Sequence, residues 1–338
     1  MKSIEVCHIA LSANERYIPG ALVAAAGVAV YASPETPLHF HLFTEEVKDE
    51  SYEFFVKTLK RLHQKTEVTR HECDESILQG LPYWAGSRMA AVRCHYATLM
   101  PAVDWCLYLD CDVLYLASVE EHFAYRDENA YACVVQEESA KTRHDECEWI
   151  YENCGVNVQD EKYFNSGVIL FNLRKMRQDG IPEKLMQFFQ CHQDVPSPDQ
   201  DALNAILCSS VRMIPQKFNR LQILISDAKL KEQAVVHYVH GNPWLPKYGT
   251  VANGRFKLWH AFADKYVWSE NGRSVRRLFS SRMMFVKRLS WLLLQLPLVG
   301  WAYARSMQML GKTSDGADWR FSQVGCDISK KTIDKILK

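Results

Sequence analysis

The feature that most constrains the fold is the alternation of short apolar runs with longer helical segments over the first two thirds of the chain. Ile4–Leu11 and Leu38–Phe43 have the length and composition of buried strands, and the Ala-rich segment Tyr17–Tyr31 between them has the length of a helix. Further strands are predicted at Trp105–Leu109 and Gly167–Leu173. This alternation predicts an α/β fold in which flanking helices cover a mostly parallel sheet.

Composition narrows the class of protein. The chain has 338 residues, enough for one large or two modest domains with a packed core. Its 40 Lys and Arg balance 40 Asp and Glu, which argues against a general nucleic-acid-binding surface. The 11 cysteines are scattered and form no C-x-x-C pair, so they have no zinc-site spacing. This cysteine pattern indicates a reducing compartment. Because the N-terminus carries no export signal, we expect a cytoplasmic location.

Two carboxylates follow the apolar strand Trp105–Leu109. Asp110 and Asp112 occupy positions i and i+2 of YLDCDVLYL, and the side-chain period of two would place them on one face. Such a pair at the C-terminal end of a strand could hold a hard divalent cation with its phosphate ligands. The alternative is that both are solvated turn residues, which the apolar residues on either side disfavour.

Two further segments place polar side chains beside apolar runs. Asn165 and Ser166 precede a predicted strand and could hydrogen-bond a sugar, or could be ordinary turn residues. Asp199 and Gln200 begin a predicted helix, where an acidic N-terminal turn is the simpler interpretation.

The histidines receive two interpretations. His237 lies in the predicted apolar strand Val235–Val239, and a neutral imidazole beside two carboxylates would suit Mn²⁺ better than Ca²⁺. A lone strand histidine is nevertheless more often a satisfied core residue than a ligand. The remaining histidines, such as His39 and His41, are interpreted as core residues.

The order of these segments resembles that of the retaining glycosyltransferases of family 8, which include bacterial lipopolysaccharide galactosyl- and glucosyltransferases and glycogenin. The similarity runs from about Ile4 to Trp244, and YLDCDVLYL, FNSGVILFNL and DQDALN carry it most specifically. It implies a GT-A type, Rossmann-like α/β domain, which we expect over residues 1–268. It also implies a UDP-sugar donor.

The resemblance implies a role for individual residues. Asp110 and Asp112 match the D-x-D motif that holds Mn²⁺ (or Mg²⁺) against the diphosphate of a UDP-sugar, and His237 matches the third protein ligand. Asp199 and Gln200 match the catalytic pair beside the anomeric carbon. The residues implied in donor binding are Asn14, Arg93, Asn165, Ser166, Gly241 and Lys247.

Two positions depart from the pattern of this family. The first strand usually ends in an acidic residue near the nucleotide, where this chain has Ser12 or Ala13. In HYVHGNPW, Asn242 stands where a diphosphate-binding lysine is expected, and Lys247 is the candidate to replace it. Both changes concern donor binding, while the metal ligands are retained.

Two segments stand apart from the strand–helix alternation. The polar stretch Gln136–Asp160 is interpreted as a long surface insertion or lid. Residues 269–338 are expected to form a basic, aromatic helical tail that docks on an anionic membrane surface. Its uncharged run Leu289–Ala304 is shorter than the roughly 20 apolar residues of a spanning helix. The alternative is a helical pair that packs on the domain.

We therefore predict a retaining transferase that moves glucose or galactose from a UDP-sugar to a glycan acceptor, with the lipopolysaccharide core as the expected acceptor. The enzyme would work peripherally on the inner face of the cytoplasmic membrane. One alternative is a sugar-phosphate nucleotidyltransferase, which Leu11–Gly20 disfavours because it lacks a glycine-rich, basic loop. The other is a catalytically weak, membrane-bound glycan- or nucleotide-binding protein on the same fold.

Overall fold

The structure is a computed structural model that describes residues 5–84, 86–158, 162–222, 225, 227–239, 241–244, 256–268 and 330–337. The chain divides into two compact units, the first comprising residues 1–220 and 232–237 and the second residues 221–231 and 238–338. The expected boundary between residues 1–268 and a tail at 269–338 stays a prediction, because residues 269–329 lie outside the described part of the chain.

The strands form two sheets. Their bounds are β1 Cys7–Asn14, β2 Leu38–Glu45, β3 Thr66–Glu72, β4 Trp105–Leu109, β5 Val113–Tyr115, β6 Ala132–Gln136, β7 Phe164–Asn172, β8 Val211–Met213, β9 Arg220–Leu221 and β10 Val235–His237. The larger sheet has seven strands in the order β3-β2-β1-β4-β7-β6-β8, and the smaller has the order β5-β10-β9. In the larger sheet β7 runs antiparallel to both of its neighbours, and the other strands are parallel to one another. The predicted α/β fold with a mostly parallel sheet is confirmed.

Helices connect these strands. Their bounds are α1 Ile18–Tyr31, α2 Asp49–Leu62, α3 Glu75–Leu78, α4 Tyr96–Leu99, α5 Val119–Phe123, α6 Ala140–Cys154, α7 Leu173–Gln178, α8 Ile181–Cys191, α9 Pro198–Leu207, α10 Lys257–Phe262 and α11 Lys330–Ile336. A 3₁₀ helix, Met89–His95, leads directly into α4. Within the described ranges, no helix is long and apolar enough to cross a membrane.

The helix α1 is buried along most of its length, which explains its Ala-rich sequence. Small side chains let a helix approach its neighbours closely, and the closest approach is at Gly27. A Cβ atom at Gly27 would lie 2.4 Å from the carbonyl oxygen of Tyr115 at the end of β5. The missing side chain therefore allows α1 to pack directly on the backbone of β5.

The core lies on the sheet around β4 and β7, whose residues are all buried. Both faces of these two strands are covered, which accounts for their near-continuous apolar sequences. The carbonyl of Gly167 accepts a hydrogen bond from the amide of Asp110 at 2.8 Å, one residue beyond the end of β4. The buried sheet thus fixes the position at which the first carboxylate of the D-x-D motif leaves the core.

Candidate functional site

The three predicted metal ligands lie close together at the C-terminal end of β4. Asp110 and Asp112 occupy the turn between β4 and β5, and His237 is brought beside them because β10 pairs with β5, with His237 opposite Val113. Nε2 of His237 lies 3.2 Å from Oδ1 of Asp112 and 3.8 Å from Oδ2 of Asp110. One ligand atom from each of the three residues lies within 4.8 Å of the other two.

A chain of hydrogen bonds fixes the imidazole of His237. The Nδ2 group of Asn165 donates to the carboxylate of Glu137 at 2.8 Å, so Oδ1 of Asn165 is an acceptor. That oxygen accepts from Nδ2 of Asn219 at 2.8 Å, which leaves Oδ1 of Asn219 to accept from Nδ1 of His237 at 2.9 Å. Nδ1 of His237 therefore carries a proton, and Nε2 is the nitrogen that faces the two aspartates and could ligate a cation.

This donor set fits a divalent cation. Two carboxylates and one oriented imidazole are the mixed oxygen and nitrogen ligands that suit Mn²⁺, and Mg²⁺ accepts the carboxylates. Burial raises the pKa of Asp110, against the lowering effect of Arg93, and the neighbouring Asp112 raises it further. Burial acts to lower the pKa of His237, but the carboxylates of Asp112 and Asp110 outweigh it and raise that pKa. The neighbouring negative charges contribute to both shifts, and a bound cation would relieve that part of each.

Arg93 links the D-x-D motif to the start of α9. Its buried guanidinium places Nη2 3.0 Å from Oδ1 of Asp110 and 3.2 Å from Oδ2 of Asp199. Nη1 donates to the carbonyl of Ser166 at 2.5 Å, and the guanidinium lies over the ring of Tyr108, 4.1 Å from its centroid. Burial acts to lower the pKa of Arg93, but Asp110, Tyr108 and Asp199 outweigh it and raise that pKa. Arg93 is therefore a permanent buried cation.

The predicted catalytic pair lies in the first turn of α9. Oε1 of Gln200 accepts from the amide of Ser166 at 3.0 Å, and its Nε2 donates to the hydroxyl of Tyr163 at 3.1 Å. The hydroxyl of Ser166 donates to Oδ2 of Asp199 at 3.5 Å. One turn later, Asn204 bonds both the amide and the carbonyl of Phe164, at 2.8 and 2.9 Å. These hydrogen bonds hold the first turns of α9 against the start of β7.

The end of β1 lies beside the D-x-D turn. Sγ of Cys111 donates to the carbonyl of Ser12 at 3.4 Å. The hydroxyl of Ser12, where an acidic residue is usual, lies 2.6 Å from the hydroxyl of Tyr96 and is part of the core. Oδ1 of Asn14 is buried and has no hydrogen-bond partner among the described residues. Asn14 is therefore available to a ligand.

The remaining two predicted donor-binding residues are Gly241 and Lys247. Gly241 is part of the second unit, where its amide donates to the carbonyl of Tyr238 at 3.1 Å. Lys247 lies outside the described residues. Their roles stay predictions.

A buried acid pair lies behind Gln200. Asp201 accepts from the hydroxyl of Tyr163 at 2.5 Å and from the amide of Ser197 at 2.9 Å, while Oε1 of Glu146 accepts from the hydroxyl of Ser197 at 3.2 Å. Burial raises the pKa of Asp201 to about 8, and the neighbouring Glu146 raises it as well. Both carboxyl groups accept a hydrogen bond from Ser197, and burial raises the pKa of each, so we infer that the two groups share a proton.

Sequence reasoning did not identify several residues of this site. Tyr108, whose hydroxyl donates to Asp110, precedes it by two positions, so the strand period alone places it on the same face. Glu137 and Asn219 come from the ends of β6 and of a short 3₁₀ helix far along the chain. Nothing local in the sequence marks either of them.

Comparisons with known proteins agree with these motifs. The family model described as Glycosyl transferase family 8 matches residues 8–262. The chain is 28% identical over 265 residues to the lipopolysaccharide 1,3-galactosyltransferase of Salmonella typhimurium, covering 70% of this chain and 72% of that protein. It is 23% identical over 271 residues to a lipopolysaccharide 1,2-glucosyltransferase of Escherichia coli, covering 77% of this chain and 75% of that protein.

Solved structures show the same fold. The galactosyltransferase LgtC, crystallised with donor and acceptor sugar analogs, superposes with a TM-score of 0.63 at 21% identity, over 77% of this chain and 96% of that one. One chain of the bifunctional glycosyltransferase WbbM gives a TM-score of 0.62 at 16% identity, over 72% of this chain and 48% of that one. The fold is of the GT-A type, and because the family model covers more than half of the sequence, the chain belongs to glycosyl transferase family 8.

Proposed function

We propose that the protein is a retaining, UDP-sugar-dependent transferase that moves glucose or galactose to a glycan acceptor, the lipopolysaccharide core. The observation that carries the proposal is the convergence of Asp110, Asp112 and His237 on one point, directly beside the Arg93–Asp199 pair. Lipopolysaccharide galactosyl- and glucosyltransferases among the relatives support the choice of sugar and acceptor.

The proposed ion is Mn²⁺ or Mg²⁺, held by Asp110, Asp112 and His237. When bound, such an ion supplies positive charge against the negative charge that develops on the departing UDP. The hydrogen bond from His237 to Asn219 keeps the imidazole oriented whether or not the ion is present.

The protein's own residues favour one of two routes to retention. Retention requires either a covalent intermediate or attack on the same face as the leaving group. The amide of Gln200 is a poor nucleophile, and both its oxygen and its nitrogen are already hydrogen-bonded. The carboxylate of Asp199 pairs with Arg93 and would have to leave that pair to attack. We therefore propose same-face attack, in which the departing phosphate accepts the proton of the acceptor hydroxyl.

Donor recognition is proposed for the residues around this centre. The unpartnered Oδ1 of Asn14 would accept a hydrogen bond from the nucleoside, and Asn165 and Ser166 line the start of β7 beside the metal ligands. Gly241 and Lys247 are proposed to contact the diphosphate. Arg93 would fix the positions of the Asp110 and Asp199 side chains relative to each other while the sugar binds.

The proposal is tested by titrating the full-length protein with UDP, with and without Mn²⁺. We expect Mn²⁺-dependent UDP binding that is lost in an Asp110→Asn/Asp112→Asn variant and retained in Asp104→Asn, a half-exposed aspartate that precedes the same strand. Failure to bind UDP under either condition would overturn the assignment of the donor.

Turnover separates the enzyme from a weak binding protein on the same fold. We expect slow hydrolysis of UDP-glucose or UDP-galactose, followed by NMR, to release the α-anomer first. Binding of UDP without release of sugar from either donor would favour the binding protein, and release of the β-anomer would rule out retention.

Membrane docking by residues 269–338 remains a separate proposal. Arg276, Arg277, Lys287 and Arg288 lie in this basic segment. Replacing these four residues by glutamine in the full chain should release the protein from vesicles that contain anionic lipid, without loss of UDP binding. Unchanged binding to vesicles would contradict this proposal and leave the transferase assignment intact.

A further inference from the structure

Four histidines lie on one face of strands β1 to β3. His8 is the register partner of His39, His41 follows His39 on the same face of β2, and His71 is the partner of Phe43 on that face. Nδ1 of His8 lies 3.0 Å from Nε2 of His41, whose Nδ1 lies 3.1 Å from Nε2 of His71. The rings of His39 and His41 stack with their centroids 4.2 Å apart. We call these four residues the histidine cluster.

The cluster differs from the core residues that the sequence suggests. His41 is buried, but His8, His39 and His71 are only half-buried, so the cluster opens to solvent on one side. The side chain of Glu67 on β3 is largely exposed, and its Oε2 lies 3.8 Å from Nδ1 of His39. A metal ion could therefore enter from solvent and meet a carboxylate beside the imidazoles.

Three members of the cluster have the spacing of metal ligands. One ring nitrogen from each of His8, His39 and His41 lies within 4.8 Å of the others. Zinc binds histidine nitrogen at about 2.0–2.1 Å in tetrahedral geometry, which sets its ligand atoms roughly 3.4 Å apart. Nδ1 of His8 and Nε2 of His41 are 3.0 Å apart, which is already near this value. Small rotations of the rings would bring the nitrogen of His39 to a similar distance from both. We propose that His8, His39 and His41 form a second metal site for a late transition-metal dication such as Zn²⁺, with Glu67 as its fourth ligand.

The hydrogen bonds around the cluster suit this role. Ligating histidines commonly use their second ring nitrogen in a hydrogen bond, which orients the ligand. In His41 that contact is from Nδ1 to His71, and in His39 it is from Nε2 to the hydroxyl of Thr69 at 2.8 Å. Burial, together with the neighbouring imidazoles, lowers the pKa of His41 to about 3, so its ring is neutral at pH 7 and keeps a lone pair.

The second site is distinct from the D-x-D site in both position and chemistry. His8 is the register partner of Cys106, four residues before Asp110, which separates the two sites by about 13 Å along the strands. The histidine cluster also lies toward β2 and β3, on the side of β1 away from β4. Imidazole-rich ligands select Zn²⁺, Cu²⁺ or Ni²⁺, whereas carboxylate-rich ligands select Mn²⁺ or Mg²⁺. An ion bound here would cross-link β3, the edge strand, to β1 and β2.

The experiment uses Co²⁺ as a spectroscopic probe for Zn²⁺ in the full-length Asp110→Asn/Asp112→Asn protein, which removes the carboxylate site. Co²⁺ in a four-coordinate, nitrogen-rich site absorbs strongly in the visible range, and in an oxygen-rich, six-coordinate site it absorbs weakly. We expect a strong absorption band that saturates at one equivalent and disappears when Zn²⁺ is added. His8→Gln and His39→Gln, each in this background, should weaken Co²⁺ binding by at least about 100-fold.

His144→Gln in the same background is the matched control, because His144 is an exposed histidine on α6 outside the cluster. It should leave the absorption band unchanged. Zn²⁺ should raise the unfolding temperature of the control and leave that of the His39→Gln protein unchanged. A cooperative unfolding transition in the same measurement shows that the His39→Gln protein is folded. Absence of the band, or a band that survives both His8→Gln and His39→Gln, would overturn the proposal.

Discussion

Nη2 of Arg93 lies 3.2 Å from Oδ2 of Asp199, and the same nitrogen lies 3.0 Å from Asp110. A buried guanidinium thus joins the D-x-D turn to the proposed catalytic helix. The two aspartates are 89 positions apart in the sequence, and their common partner fixes their separation. Any change at Arg93 should therefore affect both the stability and the chemistry of the site.

Replacement of Arg93 by Met should destabilise the protein by about 3–5 kcal/mol, because it leaves the buried carboxylate of Asp199 and the half-buried carboxylate of Asp110 without a cation. The rate of transfer should fall at least about 100-fold. Arg93→Lys should restore part of the stability but little of the rate, since one ammonium cannot match the planar contacts to Asp110, Asp199 and Ser166. Thermal unfolding and donor hydrolysis measure the two effects.

Arg88→Met is the control for this prediction. Arg88 pairs with the exposed Glu75 at 3.0 Å, so its loss should change the free energy of unfolding by less than about 0.5 kcal/mol. Equal losses in Arg93→Met and Arg88→Met would mean that burial of the Arg93 pair has no special weight.

Gly167 is required by the side chains of the proposed metal ligands rather than by its own backbone conformation. A Cβ atom at this position would lie 2.2 Å from Cε1 of His237 and 2.8 Å from Oδ2 of Asp110. Gly167→Ala should therefore displace the imidazole and reduce Mn²⁺-dependent UDP affinity at least about 10-fold. Isothermal titration with UDP and Mn²⁺ measures this effect.

Gly27→Ala provides the comparison, since its Cβ would clash with the carbonyl of Tyr115 at 2.4 Å, in a contact that involves no metal ligand. It should lower stability by about 1–3 kcal/mol while the folded protein keeps its affinity for UDP. Normal UDP affinity in Gly167→Ala would show that the close approach to His237 is unimportant.

The strands were predictable where local pattern decides the structure. The predicted strand Trp105–Leu109 has the same bounds in the structure because it is a short, fully apolar run. The reversed direction of β7 was not predictable, because strand direction depends on pairing with β4 and β6 across long stretches of chain.

The stretch Gln136–Asp160, interpreted as an insertion or lid, contains the 15-residue helix α6. Because its sequence is mostly polar, it lacks the regular spacing of apolar residues that indicates a helix. The helix nevertheless carries local signals at both ends, an N-cap at Ser139, which accepts from the amide of Thr142, and a left-handed Gly155 after the last turn.

In the candidate site as well, residues marked by a local sequence pattern were predictable, and residues whose role depends on distant parts of the chain were not. Asp110 and Asp112 were visible because an i, i+2 pair of acids inside an apolar stretch is a local signal. Asn219 was not visible, because its role depends on a hydrogen-bond chain through Asn165 to Glu137 that forms only in the folded protein.

Asn219 should control metal affinity without touching the ion. Its Oδ1 accepts from Nδ1 of His237 at 2.9 Å, which leaves Nε2 free to ligate. Asn219→Ala removes that acceptor and should weaken Mn²⁺ binding about 10- to 100-fold. Asn129→Ala, a change at an exposed asparagine, should leave it unaltered. Titration of Mn²⁺ in the presence of UDP tests the prediction, and equal affinities in the two variants would contradict it.

The acid pair of Asp201 and Glu146 should make stability depend on pH. Burial raises the pKa of Asp201 from 3.8 to about 8, so the folded protein holds a proton that the unfolded chain releases. The stability associated with this proton is complete below about pH 4 and is lost as the pH rises toward 8. In Glu146→Gln, we expect an amide hydrogen to take the place of the shared proton, because Oε2 of Glu146 is buried and has no hydrogen-bond partner among the described residues.

We therefore expect Glu146→Gln to have little effect at pH 5 and to stabilise the protein at pH 8.5 by on the order of 2 kcal/mol relative to wild type. For a protein of this size that is a rise of several degrees in unfolding temperature. Glu148→Gln removes an exposed carboxylate from the same helix and should shift stability equally at both pH values. An equal shift in the stability of Glu146→Gln at pH 5 and at pH 8.5 would contradict the shared proton. Only if the two carboxyl groups share a proton should the stabilisation by the amide depend on the ionisation of Asp201.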